Sequence, residues 1–345
     1  MTTDRCTVLL TSAGRRGALV DLLRDGGRRA GATVEVVAVD RSALSAAGHL
    51  ADRFELVPPV DHPEYLDRLV ELVARYGVDA VVPTIDPELG VVARGRSTLA
   101  AAGAVAVVSS PDTVEVTADK HHSRVWMAAA GFPVPRGYDR TELDGLGADA
   151  WPLFFKPRRG SSSLGAHPVG STAEVDLAEA RYGPGVVEER IEGHEITLDC
   201  WVTRDGCCRA VVPRRRLSVR AGEIANGVTV ACPDLVRSTT ALVEALPGPR
   251  GPVTVQAIVA RDGPRFIEVN PRFGGGYPLS HAAGACLTAV LVAEALGRPP
   301  DDAWFRWRAG VTMLRYDTAV FLGPGRVGPG DRGRPAGPTR PAPPP

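Results

Sequence analysis

Two polar side chains alternate with apolar residues in the stretch "FIEVNPRFGGGYPLSHAAG", residues 266–284. Glu268 and Asn270 are two positions apart, so on a β-strand they point to the same side, about 7 Å from each other. Carboxylate and amide oxygens are donors that Mg²⁺ prefers, and the ion usually keeps several waters as well. Pro271 ends the strand, and Arg272 and three glycines follow at once. The stretch therefore predicts a magnesium site beside a fixed cation.

A third oxygen donor lies in the preceding apolar run "VTVQAIVA". If "ARDG" turns the chain into a hairpin, Gln256 is a candidate to lie opposite Glu268 and Asn270. Arg272 could then hold a phosphoryl group that the metal also contacts. The three glycines would let the following backbone pass close to a substrate without side-chain clashes. The alternative is a polar strand face open to water, but it leaves the triple glycine unexplained.

A lysine followed by a loop of small residues occurs in "FFKPRRGSSSLGA", residues 154–166. Small residues allow backbone N–H groups to approach phosphate oxygens, and Lys156 supplies a positive charge. The lysine precedes the glycines, so the segment is not a Walker A loop. The alternative is an ordinary hairpin with an exposed lysine. In either case we expect Lys156 to be largely solvated when no ligand is bound.

An apolar run passes into an acidic segment in "VVEERIEGHE", residues 186–195. A strand edge with a following linker can offer backbone groups to an adenine, and a carboxylate such as Glu195 can accept both ribose hydroxyls. Taken alone, the segment is better explained as a solvated acidic turn.

Several other candidates have weaker signals. Arg214, Arg215 and Arg216 alternate faces on a strand, so at most two point the same way; one could reach a phosphate, and the alternative is a solvated edge strand. "TSAGRRG" retains only Gly14 and Gly17 of a dinucleotide-binding fingerprint, with Asp40 downstream. Asp86 and Glu88 follow a strand, where either ligand binding or helix capping would use them. His121 and His122 are adjacent on a helix and point in different directions, which argues against a shared metal.

The composition describes an ordinary globular chain of 345 residues, with 44% hydrophobic and 23% charged residues and a formal net charge of +0. This balance gives no reason to expect nucleic acid or a membrane surface as a partner. No apolar run approaches the roughly 20 residues needed to span a bilayer. None of the six cysteines forms a CxxC pair. We therefore expect neither zinc nor a disulfide framework, and predict a cytoplasmic location.

The first third of the chain alternates strand-like and helical segments. "TVLLTSAG", "TVEVVAVD", "VDAVVP" and "GAVAVVSS" are almost continuously apolar, which predicts a parallel sheet covered on both faces. The clearest helix is "DHPEYLDRLVELVARYG", with Asp61 as the expected N-cap and Gly77 as the expected end.

From about residue 151 the pattern changes to short strands joined by Gly and Asp turns, which predicts antiparallel pairing. The last residues, "LGPGRVGPGDRGRPAGPTRPAPPP", are rich in Pro, Gly and Arg. They cannot bury a core, so the sequence predicts a disordered tail.

Taken in order, these segments resemble the ATP-grasp superfamily, and most closely its carbamoyl-phosphate-synthase-like ligases. The resemblance covers about residues 5 to 320 and is most specific in residues 266–284, with "TADK", the Lys156 loop and "VVEERIEGHE" in the expected order. It implies an α/β (α+β ATP-grasp) fold in which an N-terminal parallel-sheet domain precedes two α+β subdomains. The implied limits are 1–115 for the pre-ATP-grasp domain, 116–190 and 191–320 for the two ATP-grasp subdomains, and 321–345 for the tail.

The resemblance also implies a role for each matching residue. Gln256, Glu268 and Asn270 would hold one or two Mg²⁺ (or Mn²⁺) ions, Arg272 would stabilise the transferred phosphoryl group, and Lys156 would share in catalysis. Glu188, with the backbone around Arg190, would contact adenine, and Glu195 the ribose. The implied ATP-binding residues are Lys120, Lys156, Arg158, Gly160, Ser161, Ser162, Ser163, Gly165, Glu188, Glu189, Arg190 and Glu195.

The function implied is an ATP- and Mg²⁺-dependent ligase that joins a carboxylate to an amine or thiol through an acyl phosphate and releases ADP and phosphate. Two other functions stay open: an ATP-binding module without turnover, and a nicotinamide-dependent oxidoreductase at the first glycine turn. The expected partners are small carboxylates and amines, and a homodimer is also left open.

Overall fold

The computed structural model describes residues 4–160, 163–220 and 222–323. The described chain forms two compact units. One contains residues 4–108, 284–306 and 316–323, and the other contains 109–283 and 307–315. The predicted limits at residues 115, 190 and 320 stay predictions. Most of the predicted tail lies outside the described residues.

The first unit is built on the parallel sheet that the apolar runs predicted. Its strand order is β3-β2-β1-β4-β5, and every pair is parallel. β1 is central, and Val8 lies opposite both Val36 of β2 and Ala80 of β4. All three side chains are fully buried, as expected for a sheet covered on both faces. The strands are β1 (Asp4–Leu10), β2 (Ala32–Asp40), β3 (Arg53–Leu56), β4 (Ala80–Val82) and β5 (Val105–Ala106).

Helices pack around this sheet, and a helix from the distant end of the described sequence packs against one of them. α12 is apolar, most of its residues are buried, and it packs against α1. A Cβ atom placed on Gly26 of α1 would lie only 2.5 Å from the carbonyl carbon of Thr288, so glycine permits this close approach. The helices of the unit are α1 (Gly17–Arg29), α2 (Ala46–Leu50), α3 (Tyr65–Tyr76), α4 (Asp86–Arg94), α5 (Arg96–Ala101) and α12 (Leu287–Ala295), with a 3₁₀ turn at Asp302–Phe305.

α3 begins later than the sequence predicted. Its N-cap is Glu64, with no side-chain capping bond, so the expected cap at Asp61 is wrong. The intervening residues form a turn in which the N–H of Tyr65 donates to the carbonyl of His62. The C-terminus is as predicted, because Gly77 caps it with φ +59°.

The second unit contains a six-stranded antiparallel sheet in the order β14-β13-β10-β11-β12-β15. One face packs on helices: Ile196, Leu198 and Val255 join Leu242 of α10 and Met127 of α7 in an apolar core. The opposite face carries polar side chains and bears the candidate site. The strands are β10 (His194–Val202), β11 (Cys208–Arg220), β12 (Glu223–Thr229), β13 (Gly251–Ala260), β14 (Gly263–Asn270) and β15 (Thr312–Leu314). The helices beside this sheet are α6 (Pro111–Ala118), α7 (Lys120–Ala129), α10 (Pro233–Ala245) and α11 (Tyr277–Ala282).

A smaller four-stranded sheet in the same unit has the order β6-β9-β7-β8. Its core joins Leu153 and Phe155 to Val175 and Val187. The elements are β6 (Gly137–Tyr138), α8 (Arg140–Asp144), a 3₁₀ turn (Ala148–Ala150), β7 (Leu153–Pro157), β8 (His167–Val169), α9 (Thr172–Tyr182) and β9 (Gly185–Glu188). Across the described parts of both units, no helix is long and apolar enough to cross a membrane.

Candidate active site

A continuous row of polar side chains crosses the six-stranded sheet at the predicted metal strand. Glu268 on β14 lies directly opposite Gln256 on β13, and Gln256 lies opposite Thr197 on β10. Asn270, two residues along β14, lies opposite Thr254. The antiparallel register therefore brings together the three predicted metal ligands on one sheet face, because residues opposite each other in a ladder share a face.

Lys120 connects this row to the glycine-containing loop. It is the first residue of α7, and its Nζ lies 3.6 Å from Glu268 Oε1. The same ammonium donates to the carbonyl of Gly160 at 2.9 Å. The side chain of Glu268 is 26% exposed, so it remains accessible to a ligand. Lys120 thus places one positive charge between the candidate metal strand and the loop.

Asp119, which the sequence reasoning did not assign, fixes the loop from the other side. Its side chain caps α7 by accepting from the N–H groups of His121 and His122. It also accepts from Arg158 Nε, at 3.2 and 3.0 Å to its two oxygens. Burial acts to raise the pKa of Asp119, but the hydrogen bonds from Arg158 and the two amides outweigh it and lower the pKa below its ordinary value. An Asp directly before a helical run was the available signal.

The predicted phosphate lysine is buried, contrary to the expectation that it would be solvated. Lys156 is 8% exposed and its Nζ lies 2.5 Å from Glu188 Oε2. Glu188 is 3% exposed. β7 and β9 pair antiparallel beside each other and bring the two residues together. Burial removes water from the Lys156 ammonium, which is costly for an unpaired charge. The ion pair with Glu188 compensates for this cost and allows the lysine to be buried.

Glu195, predicted to bind ribose, lies beside the metal row. Its Oε1 accepts from Gln256 Nε2 at 3.0 Å and from Arg216 Nη1. Arg216 and Arg214 share this face of β11, whereas Arg215 alternates to the other. Arg214 does not reach the open part of the face, because it is 1% exposed and paired with Asp199.

The remaining loop and linker residues are partly described. Gly160 and Gly165 have φ of +128° and +76°, and Ser163 has φ +55°. Gly165 is required for two reasons: its φ is positive, and a Cβ there would lie 2.8 Å from the ring of Tyr182. Ser161 and Ser162 lie outside the described residues. In the linker, Glu189 exchanges hydrogen bonds with the backbone of Arg136, and Arg190 is exposed.

The triple glycine lies against the sheet's own side chains, which differs from the predicted reason for it. We expected the glycines to allow backbone to approach a substrate. Instead, a Cβ on Gly274 would lie 3.0 Å from Thr254 Oγ1. A Cβ on Gly276 would lie 2.2 Å from Arg214 Nη1. Thr254 also donates to the carbonyl of Arg272 at 2.9 Å.

The oxygen donors on this face suit Mg²⁺. Gln256 donates a hydrogen bond from Nε2 to Glu195. The Oε1 atom of Gln256 can therefore serve as a ligand for a cation. Together with Glu268 and Asn270 this gives one carboxylate and two amide oxygens, a hard donor set. Within 4–160, 163–220 and 222–323, no group of three or more His, Cys, Asp or Glu residues could hold a metal ion.

The weaker candidates in the first unit have structural roles. Glu88 is fully buried and accepts from the N–H of Thr84 at 2.6 Å and from the hydroxyls of Tyr65 and Ser12. Burial, the largest influence, raises the pKa of Glu88 above its ordinary value. Asp40 accepts from the N–H of Gly14 at 2.7 Å, so one of its oxygens already holds the turn that a dinucleotide would occupy.

Two segments of the chain match known family models. Residues 8–108 match the family model of the PylC-like N-terminal domain. Residues 183–319 match the model described as ATP-grasp in the biosynthetic pathway with Ter operon. The chain is 31% identical over 215 residues to the D-alanine–D-alanine ligase of Corynebacterium glutamicum, over 52% of this chain and 60% of that ligase.

Solved structures show the same fold. The L-amino acid ligase from Bacillus licheniformis superposes with a TM-score of 0.69 at 19% identity, over 89% of this chain and 78% of that one. The biotin carboxylase domain dimer of the Hydrogenobacter thermophilus 2-oxoglutarate carboxylase, in complex with MgADP, gives 0.67 at 17% identity, over 87% and 72%. The resemblance to the ATP-grasp superfamily is therefore confirmed: the chain has an ATP-grasp fold with a PylC-like N-terminal domain.

Proposed function

We propose that this chain is an ATP-dependent ligase that activates a carboxylate as an acyl phosphate and transfers it to an amine or thiol. The observation that carries the proposal is the group of oxygen donors Glu268, Gln256 and Asn270 on one sheet face. Lys120 Nζ lies 3.6 Å from Glu268 Oε1, beside this group. A solvated polar strand face would not require a helix N-terminal lysine directed at the Glu268 carboxylate. The relatives named above are consistent with ligase chemistry, and none of them is a nicotinamide enzyme.

Each residue has a defined task in this proposal. Lys120 and Lys156 bind ATP phosphates, with Arg158 and the loop to Gly165 closing over them. Arg272 binds the phosphoryl group during transfer, when the negative charge of that group is spread over three oxygens. The backbone at Glu189 and Arg190 contacts adenine. Glu195 accepts the ribose hydroxyls and exchanges part of its bonding to Arg216 for them.

Gln256, Glu268 and Asn270 would hold Mg²⁺, which neutralises phosphate charge and orients the triphosphate when it is bound. Mn²⁺ takes the same oxygen ligands and is a second ion for the site.

The reaction has two steps. A carboxylate oxygen of the substrate forms a bond to the γ-phosphorus while the bond to the β,γ-bridging oxygen breaks, giving an acyl phosphate and ADP. The amine nitrogen then attacks the acyl carbon, inorganic phosphate leaves, and the nitrogen loses a proton. The protein contributes positioning and charge neutralisation, and needs no covalent nucleophile of its own.

A screen for ADP release tests the proposal directly. Carboxylates are crossed with amino acids and thiols in the presence of MgATP, and hydroxylamine is added to active pairs to trap the acyl phosphate as a hydroxamate. ADP, phosphate and hydroxamate are the expected products. AMP as the nucleotide product would overturn the mechanism, and tight ATP binding without ADP release across the screen would favour a binding module.

The setting of the enzyme is also part of the proposal. All six cysteines are free thiols, which fits a reducing cytoplasm. The substrates are small carboxylates and amines. A homodimer, the state of the biotin carboxylase neighbour, can be tested by light scattering.

A further inference from the structure

A buried ionic cluster lies on the candidate-site face but takes no part in the proposed chemistry. Arg214 Nε and Nη2 donate to the two oxygens of Asp199 at 2.7 and 2.9 Å. Ser280 Oγ donates to Asp199 Oδ2 at 2.5 Å. Arg214, Asp199 and Ser280 are 1%, 3% and 0% exposed. We call these three residues the Asp199 cluster; they come from β11, β10 and α11.

The Asp199 cluster supports the loop that carries Arg272. The Arg214 guanidinium lies so close beneath Gly276 that a Cβ there would approach Nη1 to 2.2 Å. At Gly274 a Cβ would approach Asp199 Oδ1 to 3.1 Å. Asp199 lies opposite Thr254, which lies opposite Asn270, so the cluster is in the same row as one of the proposed metal ligands.

Stability alone does not account for these charges. A buried ion pair loses its hydration, and replacing it with apolar residues of similar volume is often neutral or stabilising. The opposite face of the same strands is packed with aliphatic side chains, so this sheet accommodates an apolar core. A bidentate guanidinium–carboxylate pair instead fixes distances and directions, because its two hydrogen bonds have defined geometry.

We propose that the Asp199 cluster is a positioning device for the reaction, resting on the ligase function proposed above. It sets the height of backbone 272–276 over the sheet and so directs Arg272 and Asn270 toward the γ-phosphoryl group. Asp199, Arg214 and Ser280 are positioning residues, since none of them reaches the open part of the face. The absence of a side chain at Gly276 is also required, because it allows the loop backbone to pack directly against the Arg214 guanidinium.

The test removes the charges and keeps the volume. In the triple variant Asp199→Leu/Arg214→Met/Ser280→Ala, no partner is left buried and unpaired. Calorimetry measures the Kd of MgADP and of the magnesium complex of β,γ-methylene-ATP, and thermal unfolding is followed in parallel. We expect a thermal midpoint close to that of the wild type and an MgADP affinity within about threefold of it. The preference for the triphosphate over the diphosphate should fall about tenfold, as expected for a misplaced charge-assisted contact.

A second variant keeps the cluster and raises the loop, which covers the case that the triple variant does not fold. Gly276→Ala should cause the same loss of triphosphate preference. Gly147→Ala is the matched control, because a Cβ there meets nothing within 4 Å and its φ is −72°. An unchanged preference in folded Gly276→Ala or in the folded triple variant would overturn the positioning role.

The wild-type measurements separate this inference from the function on which it rests. Wild-type protein that binds neither nucleotide would overturn the proposed function together with the positioning role. Wild-type protein that binds both nucleotides equally would overturn the positioning role together with the task given to Arg272, while ADP release in the substrate screen would still support the ligase function.

Discussion

One face of the six-stranded sheet carries ion pairs in two regions that differ in their access to solvent. In the open region, Glu268 and Glu195 are 26% and 35% exposed in their side chains, and each contacts a cation. In the covered region, the side chains of Arg214 and Asp199 are 2% and 4% exposed, beneath the glycine loop and α11. Similar residue types therefore occur on the same strands in two different environments.

The two regions differ in whether a charged side chain can leave its ion-pair partner and bind a ligand. An exposed carboxylate pays little to leave one cation for another ligand, because water screens the intermediate state. A buried pair cannot open without leaving a charge unsolvated, so it behaves as part of the framework. The open region is suited to binding, and the covered region is suited to holding backbone in place.

Breaking the covered pair on one side should give the largest effect. Arg214→Met leaves the Asp199 carboxylate buried and unpaired, which should lower the free energy of unfolding by about 3–5 kcal/mol. Arg216→Met, two residues along the same face, removes a side chain that is 9% exposed, but it leaves Glu195 35% exposed and bonded to Gln256. The loss should therefore be smaller, about 1 kcal/mol. Urea unfolding measures both, and equal losses would remove the distinction between the two regions.

Neutralising the open carboxylate should reduce turnover while leaving the fold intact. Glu268→Gln keeps the shape and removes a metal-facing charge, so ADP release should fall on the order of 10²-fold. The Mg²⁺ concentration for half-maximal activity should rise, and the thermal midpoint without nucleotide should barely move. Glu115→Gln, on the exposed side of α6, is the control. Normal turnover of Glu268→Gln at low Mg²⁺ would contradict the metal site.

Lys156 combines features of both regions and should show both effects. Lys156→Met should weaken ATP binding roughly 10–150-fold by removing a charged phosphate contact. It should also lower the free energy of unfolding by about 1–3 kcal/mol, because Glu188 is left buried without its partner. The double variant Lys156→Met/Glu188→Leu should recover stability but not affinity. Recovery of affinity in the double variant would place the lysine outside the nucleotide site.

The smallest effect concerns pH. Asp119→Ala removes the α7 cap and the contact to Arg158, which should cost on the order of 1 kcal/mol at neutral pH. Hydrogen bonds lower the pKa of Asp119 in the folded state, so its contribution is complete above the unfolded-state pKa of about 3.9 and is lost as the pH falls through the lower folded value. Stability measured from pH 7 downward should show the wild type converging on the variant.

Ser171→Ala is the matched control for this pH dependence. Ser171 caps α9 through its hydroxyl, which accepts from the N–H of Glu174 and does not titrate in this range. Its cost should therefore stay constant as the pH falls. Convergence of both variants on the wild type would mean that general acid unfolding, and not Asp119, causes the effect.

Local patterns predicted which side chains of β13 and β14 share a face in the open region. The period of two places Glu268 and Asn270 on one face, and a short turn between apolar runs brings Gln256 opposite Glu268. The same reasoning identified four of the five parallel strands, because continuous apolar runs are typical of sheets covered on both faces. It missed β3, which has no fully buried residue. The cap at Asp61 failed because a turn at His62 delays the start of α3, and turns of this kind leave little compositional signal.

Pairings between distant residues could not be predicted. Asp199 is 15 positions from Arg214 and 81 positions from Ser280 in the sequence, and no motif links the three residues. The burial of Lys156 depends on which strand lies beside β7, which one sequence does not specify. Assigning Arg214 to solvent or to phosphate therefore missed its partner, since the residues that bury it come from β10 and α11.

The position of α12 has a consequence for how the chain is made. The first unit needs Leu287–Ala295 to cover α1, yet α12 leaves the ribosome about 260 residues after α1. At roughly 5–20 residues per second, the apolar side of α1 is exposed for tens of seconds during synthesis. The N-terminal unit therefore cannot complete its folding in the order in which it is translated. A nascent chain stalled before Leu287 should be a far better chaperone client than one stalled after Ala295.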